Sequence, residues 1–348
     1  MSERNMQGAL IGCGFFARNH LNAWRDMRAE GVELVAVCDT DEAKARAAAE
    51  TFAIRRYHTD PQKLFASERL DFVDVTTRME THRDLVLLAV RHGVRIIVQK
   101  PFAPDWESCV EMVRAAEAAG VPLAVHENFR HQTPMLRLRE TLDSGVIGRP
   151  TWGRIAFRTG YDVYRTQPYF HHEKRFAILD TGVHVLDLAR FLMGEVAHVS
   201  CETQRRNPSN VGEDTATMLL RHASGAVSLA ETTYESRQLP DPFPQTLVTI
   251  EGETGSIKLD EDFRMAVTAN GRLTEHKVSS PLLSWTAEPW HVIQESVLLT
   301  QRAITAAWRA GRDADTSGAD NLKTFAVAEA GYAAAESGRA TVPRTIER

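Results

Sequence analysis

Short apolar runs alternate with longer amphipathic stretches in the first part of the chain, and this alternation predicts strands separated by helices. The predicted strands cover residues 8–11, 33–39, 71–77, 94–98 and 122–126, and the predicted helices cover residues 15–28, 41–52, 80–92 and 104–119. Strands joined through helices of this length form a parallel sheet with helices on both faces. We therefore expect a doubly wound α/β domain over residues 1–127, with ligands at the carboxyl ends of its strands.

The pattern changes in the second part of the chain, where short β-rich runs bounded by turns replace the alternation. These runs cover residues 152–159, 196–203, 216–221, 226–233, 246–251, 256–259 and 265–268, and two helices are predicted at residues 290–309 and 319–336. The sequence therefore predicts an α+β domain over residues 128–348 with a large, mostly antiparallel, open-faced sheet. Because few helices are available to cover this sheet, we expect it to form the interface of a homo-oligomer.

The first apolar run ends in a turn of the form G-x-G-x-x-A, formed by Gly12, Gly14 and Ala17, and a helix follows it. Glycine permits the tight turn and the close approach of a pyrophosphate, which then lies at the helix N-terminus. The second strand ends at Asp39, about 20 residues later, where a carboxylate binds the ribose hydroxyls of NAD and repels the extra phosphate of NADP. The turn, including Phe15 and Phe16, predicts an NAD site.

Polar residues follow other strands of the predicted parallel sheet, and Lys100 is the most informative of them. Most lysines are surface residues, but Lys100 directly follows an apolar strand, and the sheet would place it at the ligand crevice. Pro101 restricts the backbone that precedes it. Asn128 and Arg130 follow the last of these strands, and we expect them to contact cofactor or substrate hydroxyls. Lys100 is a candidate catalytic residue.

A predicted helix that starts at Asp180 is apolar around most of its circumference. Asp180, His184 and Asp187 form one polar stripe on it, and polar groups on a buried helix need a partner or a ligand. In the simplest interpretation, Asp180 caps the helix and His184 is a core histidine. We favour catalysis, because histidine is suited to accept a proton from an alcohol and a neighbouring carboxylate can orient its ring.

Composition limits the classes of partner. A formal charge of −5 argues against nucleic acid and against an acidic membrane surface, so a small molecule is the expected substrate. The four cysteines show no pairing pattern, His126-Glu127 lacks the spacing of H-E-x-x-H, and no metal is expected. The start of the chain, from Met1 to Asn5, lacks the apolar segment of a signal peptide, and no apolar run reaches the ~18 residues of a membrane helix. We expect a cytoplasmic protein.

The order of these motifs resembles the Gfo/Idh/MocA oxidoreductases, whose motifs are G-x-G-x-x-G/A, E-K-P and D-x-x-x-H. The resemblance implies an N-terminal Rossmann domain, a C-terminal α+β domain that forms homodimers or homotetramers, and NAD(P)-dependent oxidation of sugar or polyol hydroxyls. It implies that the catalytic set is Lys100, Asp180 and His184. The expected cofactor-binding residues are Gly12, Gly14, Phe15, Phe16, Asp39, Thr77, His82, Gln99, Lys100, Asn128 and Gln167. The expected substrate-binding residues are Lys100, Asn128, Asp180, His184 and Trp290.

The chain departs from the family pattern at Gln99, where the family usually has glutamate. Further stretches, such as residues 126–130 and 316–325, resemble a branch that oxidises the anomeric carbon of a branched aldose with NAD. The residues alone do not identify the sugar, since any vicinal polyol would satisfy a pocket of Asn, Asp, His and Lys. Three interpretations remain: a sugar dehydrogenase, another polyol, inositol or hydroxy-acid dehydrogenase, and a non-catalytic dinucleotide-binding sensor.

Overall fold

A computed structural model describes residues 5–346 of the chain, which divide into two compact units. The first unit extends to Glu127 and also includes Val297–Leu322. The second consists of Asn128–Ser296 and the part of the chain from Lys323 onward. The sequence prediction divides the chain only once, after residue 127, and so does not assign residues 297–322 to the first unit. The Val125 N–H donates a hydrogen bond of 2.8 Å to the Thr316 carbonyl oxygen and so joins that segment to the rest of the first unit. No local sequence pattern predicts this contact.

The first unit contains six parallel strands, and they form one sheet. The strands are β1 (Met6–Ile11), β2 (Val32–Cys38), β3 (Arg56–His58), β4 (Phe72–Val75), β5 (Arg95–Gln99) and β6 (Leu123–His126), in the order β3-β2-β1-β4-β5-β6. The helices between them are α1 (Ala17–Asp26), α2 (Glu42–Thr51), α3 (Pro61–Ser67), α4 (His82–Arg91) and α5 (Trp106–Ala119). The strand order reverses between β1 and β4, which is where such sheets bind ligands.

The sequence prediction missed β3 and α3. Strand β3 lies at the edge of the sheet, and Arg56 and Tyr57 are exposed, so it contains no apolar run. An ion pair from Arg56 and a hydrogen bond from His58 to the buried carboxylate of Glu68 hold it in place instead. Helix α3 begins with the cap Asp60 followed by Pro61, a start signal that was present in the sequence.

The second unit contains an eight-stranded sheet. Its strands are β7 (Pro150–Arg158), β8 (Val196–Gln204), β9 (Thr215–His222), β10 (Val227–Thr233), β11 (Leu247–Gly252), β12 (Gly255–Asp260), β13 (Arg264–Ala269) and β14 (Arg272–Lys277), in the order β14-β13-β12-β11-β7-β10-β9-β8. Neighbouring strands are antiparallel except β7 and β10. Helices α6 (Thr133–Asp143) and α7 (Val183–Met193) lie within the unit, and α8 (His291–Arg309) and α9 (Gly318–Ser337) complete the chain. The predicted fold class is confirmed.

One face of this sheet carries the core of the second unit. Side chains alternate along β9, so Met218 and Leu220 are fully buried while Leu219 is 48% exposed. Helix α7 packs against β7 and β10 on the buried face. At Gly153 of β7, an added Cβ atom would lie 2.4 Å from the sulfur of Met193, so a larger residue there would require the Met193 side chain to move. The sequence prediction also missed α6, although Met135 and Leu138 of this helix are buried, and β14, in which every residue is exposed.

Neither a membrane span nor a metal cluster occurs within residues 5–346. None of the helices in that range combines the length and the apolar character that crossing a bilayer requires. Histidine, cysteine, aspartate and glutamate side chains do not gather there in groups of three or more suited to a metal ion. Residues 1–4, on which the expectation about a signal peptide partly rests, lie outside the described part of the chain.

Candidate active site

The turn between β1 and α1 has the geometry of a phosphate cradle. Gly12 has a φ of +97°, and a Cβ atom there would lie 2.8 Å from the Thr77 Cγ2 and 2.9 Å from the Thr76 carbonyl carbon. An added Cβ atom at Gly14 would meet nothing within 4 Å. The N-cap residue of α1, Phe16, makes no side-chain hydrogen bond to the helix, so the first N–H groups of α1 can bind an anion. The turn therefore fits the pyrophosphate of a dinucleotide.

Asp39 lies directly after β2, and two backbone N–H groups fix its carboxylate. One oxygen accepts a hydrogen bond from Cys13 at 2.7 Å, and the other accepts one from Asp41 at 2.9 Å. A carboxylate oxygen has a second lone pair, so both oxygens can still accept from ribose hydroxyls. Its negative charge would repel the extra phosphate of NADP, so this position favours NAD.

His82 holds two loops of the first unit together. Its ring is fully buried, and its two nitrogens lie 3.1 Å from the carbonyl oxygens of Thr77 and Phe102. Burial lowers the pKa of His82, and the hydrogen bonds to the two carbonyl oxygens oppose this shift. These two loops follow β4 and β5, at the ligand-binding ends of the strands. His82 would therefore affect a bound cofactor indirectly, by holding Thr77 in place.

Lys100 is the half-buried residue that follows β5. Its backbone N–H donates to the side-chain oxygen Oε1 of Gln99 at 2.7 Å, and the Lys100–Pro101 peptide bond is cis. Gln99 is buried, so it acts on Lys100 from inside the unit. Lys100 thus lies at the carboxyl end of a central strand, as predicted, with its backbone held by its neighbour.

Asp180 lies in a π-helical turn, Ile178–Gly182, that precedes α7. The prediction of one regular α-helix from Asp180 onward is therefore wrong. The Glu213 side chain explains part of the difference, because it accepts hydrogen bonds from the N–H groups of Phe176 and Ile178, each 3.1 Å long, and fixes the start of the turn. Single π turns inside helices are frequent at functional sites.

Tyr234 fixes the carboxylate of Asp180. Its hydroxyl donates to the Oδ2 of Asp180 at 2.6 Å. Burial, followed by the negative charge of Asp180, raises the pKa of Tyr234 well above its ordinary value, so the hydroxyl stays protonated. Tyr234 directly follows β10, and the sequence prediction missed it. The only signal was its place at the end of a strand.

His184 lies in the first turn of α7 and is 2% exposed. Its ring stacks on Phe129, with ring centroids 3.8 Å apart and an angle of 2° between the planes. Stacking of this kind fixes the plane of the imidazole while leaving the ring edge for hydrogen bonds. The sequence prediction did not include Phe129, because its contact with His184 joins positions 55 residues apart in the chain.

Arg130 and Asp187 form a buried ion pair, so two donors of Arg130 bind a protein carboxylate. The Arg130 Nε and Nη2 atoms donate to the two oxygens of Asp187 at 2.8 and 2.5 Å. The Thr324 hydroxyl also donates to Asp187, at 3.0 Å. The third member of the predicted polar stripe is therefore bound by protein groups and has a structural role.

Replacement of Asp187 by alanine is expected to lower the free energy of unfolding by about 3–5 kcal/mol, because it leaves the Arg130 guanidinium buried without its counter-charge. Urea denaturation of the variant and the wild type measures the difference. Asp84→Ala is the matched control, since Asp84 is 80% exposed in its pair with Arg83 and should cost at most about 1 kcal/mol. Equal losses in the two variants would contradict the structural role.

Three further expected binding residues lie in the second unit. Asn128 is buried, and its amide donates to the Ser296 hydroxyl at 2.7 Å, which leaves its second amide proton and its carbonyl oxygen for a ligand. The Gln167 Oε1 accepts from the Tyr169 hydroxyl at 2.5 Å. Trp290 meets Tyr161 and Phe243 edge to face, with centroid distances of 5.4 and 4.9 Å, in a small aromatic cluster.

Comparison with known proteins agrees with this geometry. Residues 6–127 match the family model described as an oxidoreductase family with an NAD-binding Rossmann fold, and residues 135–258 match the GFO/IDH/MocA C-terminal domain. The fold and the phosphate cradle therefore define an NAD-binding oxidoreductase. The chain belongs to the Gfo/Idh/MocA family.

Individual relatives are similar over nearly the whole chain. A D-apiose dehydrogenase of Rhizobium rhizogenes is 46% identical over 339 residues, which cover 97% of this chain and 98% of the relative. A D-apiose dehydrogenase of Paraburkholderia graminis is 45% identical over 344 residues, covering 99% and 91%. A crystal structure of an oxidoreductase from Agrobacterium radiobacter with NAD⁺, L-tartaric acid and magnesium is 46% identical, covers 97% of this chain and 98% of that one, and has a TM-score of 0.95.

Proposed function

We propose that this enzyme is an NAD-dependent D-apiose dehydrogenase, which oxidises the anomeric carbon of the sugar to give D-apionolactone. The observation that carries the proposal is the similarity to two D-apiose dehydrogenases, at 46% and 45% identity over almost all of the chain. The phosphate cradle, Asp39, Lys100 and the pair Asp180 and His184 supply the chemistry that such a reaction needs.

His184 is the proposed proton acceptor. The hydroxyl on the anomeric carbon must lose its proton as the hydride leaves the same carbon, and a fixed imidazole can take that proton. Stacking on Phe129 supports this role, because it holds the ring in one plane. Asp180, held by Tyr234, supplies a carboxylate that can orient the ring or a sugar hydroxyl.

Lys100 is the proposed electrostatic partner of the reacting hydroxyl. Its ammonium group would stabilise the negative charge that develops on the oxygen as the proton leaves, and would also contact the nicotinamide ribose. NAD, when bound, accepts the hydride. Lys100, Asp180 and His184 are therefore the proposed catalytic set.

The proposed cofactor-binding residues follow from the cradle and its neighbours. Phe15 is 68% exposed beside the cradle, and Phe16 is the N-cap of α1. Gly12, Gly14 and Asp39 hold the pyrophosphate and the adenine ribose, and Thr77, His82, Gln99, Lys100, Asn128 and Gln167 complete the set. For the sugar, the aromatic cluster around Trp290 supports a role for that residue as a pocket wall, because apolar walls with a few polar groups are typical of small-molecule sites.

A hydroxy-acid dehydrogenase is the second candidate. The crystal structure from Agrobacterium radiobacter, at 46% identity, contains L-tartaric acid together with NAD⁺. The test is therefore NADH formation by the purified enzyme with D-apiose, D-xylose, D-glucose, inositols and tartrate. Turnover with tartrate alone would favour the second candidate, and NAD binding without turnover of any compound would favour a sensor.

We propose that the enzyme is a homodimer or homotetramer in the cytoplasm. It would assemble through the sheet of the second unit. The exposed Leu219 in the middle of β9 supports it, because an open sheet face with apolar residues favours a partner. Light scattering is expected to give a mass of two or four times 38.9 kDa, and Leu219→Asp should lower that mass. Leu136→Asp, which changes an exposed leucine on α6 rather than on the sheet, is the control, and a monomeric wild type would refute the proposal.

A further inference from the structure

A chain of buried hydrogen bonds leads from the core of the first unit to the backbone of Lys100. The Trp24 Nε1–H and the His20 Nδ1 atom lie 2.7 and 2.8 Å from the same oxygen of Asp74. The His20 Nε2 atom lies 2.9 Å from the side-chain nitrogen of Gln99, and the Gln99 oxygen accepts from the Lys100 N–H at 2.7 Å. His20 and Asp74 are fully buried.

The direction of every bond in this chain follows from its last member. The backbone N–H of Lys100 can only donate, so the group of Gln99 that faces it is the carbonyl oxygen. The amide nitrogen of Gln99 therefore donates to the Nε2 of His20, which must carry a lone pair. The remaining ring proton lies on Nδ1 and points to Asp74. His20 is thus a neutral imidazole of one defined tautomer.

We propose that His20 and Asp74 are positioning residues that hold Lys100 through Gln99. The proposal rests on the proposed catalytic role of Lys100. The imidazole is clamped between the carboxylate and Gln99 and also lies against the ring of His126, with centroids 4.2 Å apart. Gln99 is therefore fixed at both ends of its amide, and the backbone of Lys100 is fixed with it.

The free-energy penalty of burying the carboxylate of Asp74 supports a functional role for this chain of hydrogen bonds. A fully buried carboxylate is expensive, and Asp74 receives only two donors on one oxygen, while the Oδ1 atom has no hydrogen-bond partner among the described residues. Apolar side chains would fill the same space at lower cost. The arrangement fixes the side-chain amide of Gln99, which is the residue next to the proposed catalytic lysine.

Gln99, where the family pattern has glutamate, is matched to this tautomer of His20. A carboxylate at position 99 could still accept from the Lys100 N–H, but it could not donate to the bare Nε2 of His20. His20 would then need a proton on Nε2, either as the other tautomer or as a cation between two carboxylates. We therefore expect Gln99→Glu to change the protonation of His20.

The first experiment compares His20→Ala and His20→Gln with the wild type by steady-state kinetics. His20→Ala should lower kcat by about 10- to 100-fold with little change in the KM for NAD, because small displacements of a reacting group are costly. His20→Gln keeps a donor and an acceptor and should recover part of the loss. Leu64→Ala, a fully buried residue of α3, is the control for general destabilisation. Equal kcat losses in His20→Ala and Leu64→Ala would overturn the proposal.

The second experiment reads the bond to Lys100 without activity or cofactor. Protein labelled with ¹⁵N at its seven lysines gives a small set of amide resonances, and the loss of one in Lys100→Arg assigns that of Lys100. His20→Ala and Asp74→Leu should shift this resonance, and Leu64→Ala should not. An unmoved resonance overturns the inference. An enzyme that oxidises no sugar refutes the proposed function instead, and the resonance still decides whether His20 and Asp74 act on Lys100.

Discussion

Replacement of His184 by asparagine is expected to lower kcat for D-apiose oxidation by about 10²- to 10⁴-fold, the usual contribution of a general base. The hydroxyl proton must then pass to water while the hydride leaves, because asparagine cannot accept it. NADH production by the purified variant measures the effect. The stack on Phe129 places the base, so the loss should appear in kcat rather than in the affinity for NAD.

The matched control for His184 is His198→Asn. His198 is exposed on β8 and has no part in the proposed chemistry, so this variant should have wild-type kinetics. Thermal unfolding of both variants separates chemistry from folding. A kcat for His184→Asn within about threefold of the wild type would contradict the role of His184 as a general base.

Replacement of Lys100 by methionine is expected to lower kcat by about 10²- to 10³-fold, the loss typical of removing one donor that stabilises a developing negative charge. Methionine has a similar length and no charge. Lys100→Arg should recover little, since a guanidinium does not reproduce the compact ammonium charge. Steady-state kinetics with D-apiose and NAD measure both variants.

Lys63→Met is the control for Lys100→Met. Lys63 is exposed on α3, and its substitution removes the same charge from the first unit. It should leave kcat unchanged. Wild-type turnover by Lys100→Met would remove Lys100 from the catalytic set. It would also remove the basis for the role proposed for His20 and Asp74 in catalysis, although not the hydrogen bonds themselves.

The sequence predicted the parts of the fold that depend on local pattern. Strand–turn–helix alternation and the positions of Gly12, Gly14 and Asp39 are local features, and they located the cofactor half of the fold. The position of Lys100 after an apolar strand is equally local. Strand β3 was missed because an exposed edge strand has no apolar run, and polar contacts of Arg56 and His58 with Glu68 hold it in place instead.

Contacts between distant positions could not be predicted in the same way. The π turn at Asp180 depends on Glu213, and the environment of His184 depends on Phe129. Asp187 was placed correctly on a polar stripe, but only the three-dimensional structure shows that Arg130 binds it. Such pairings depend on how elements pack, which hydrophobic periodicity does not specify.

The buried chain that ends at Gln99 illustrates the same limit. His20, Asp74 and Gln99 come from α1, β4 and β5, and the register of the parallel strands brings them together. In the sequence, Gln99 was a departure from a motif and one of the expected cofactor-binding residues. In the structure it is the link between Lys100 and a neutral histidine, which gives the departure a physical meaning.

The central claim is that this enzyme oxidises D-apiose with NAD. The most direct test measures NADH or NADPH formation by the purified protein with D-apiose, D-xylose, D-glucose, inositols and tartrate, each with NAD and with NADP. We predict the highest kcat/KM for D-apiose with NAD, and a much lower value with NADP because of Asp39. Turnover of another polyol or of tartrate without turnover of D-apiose would contradict the claim.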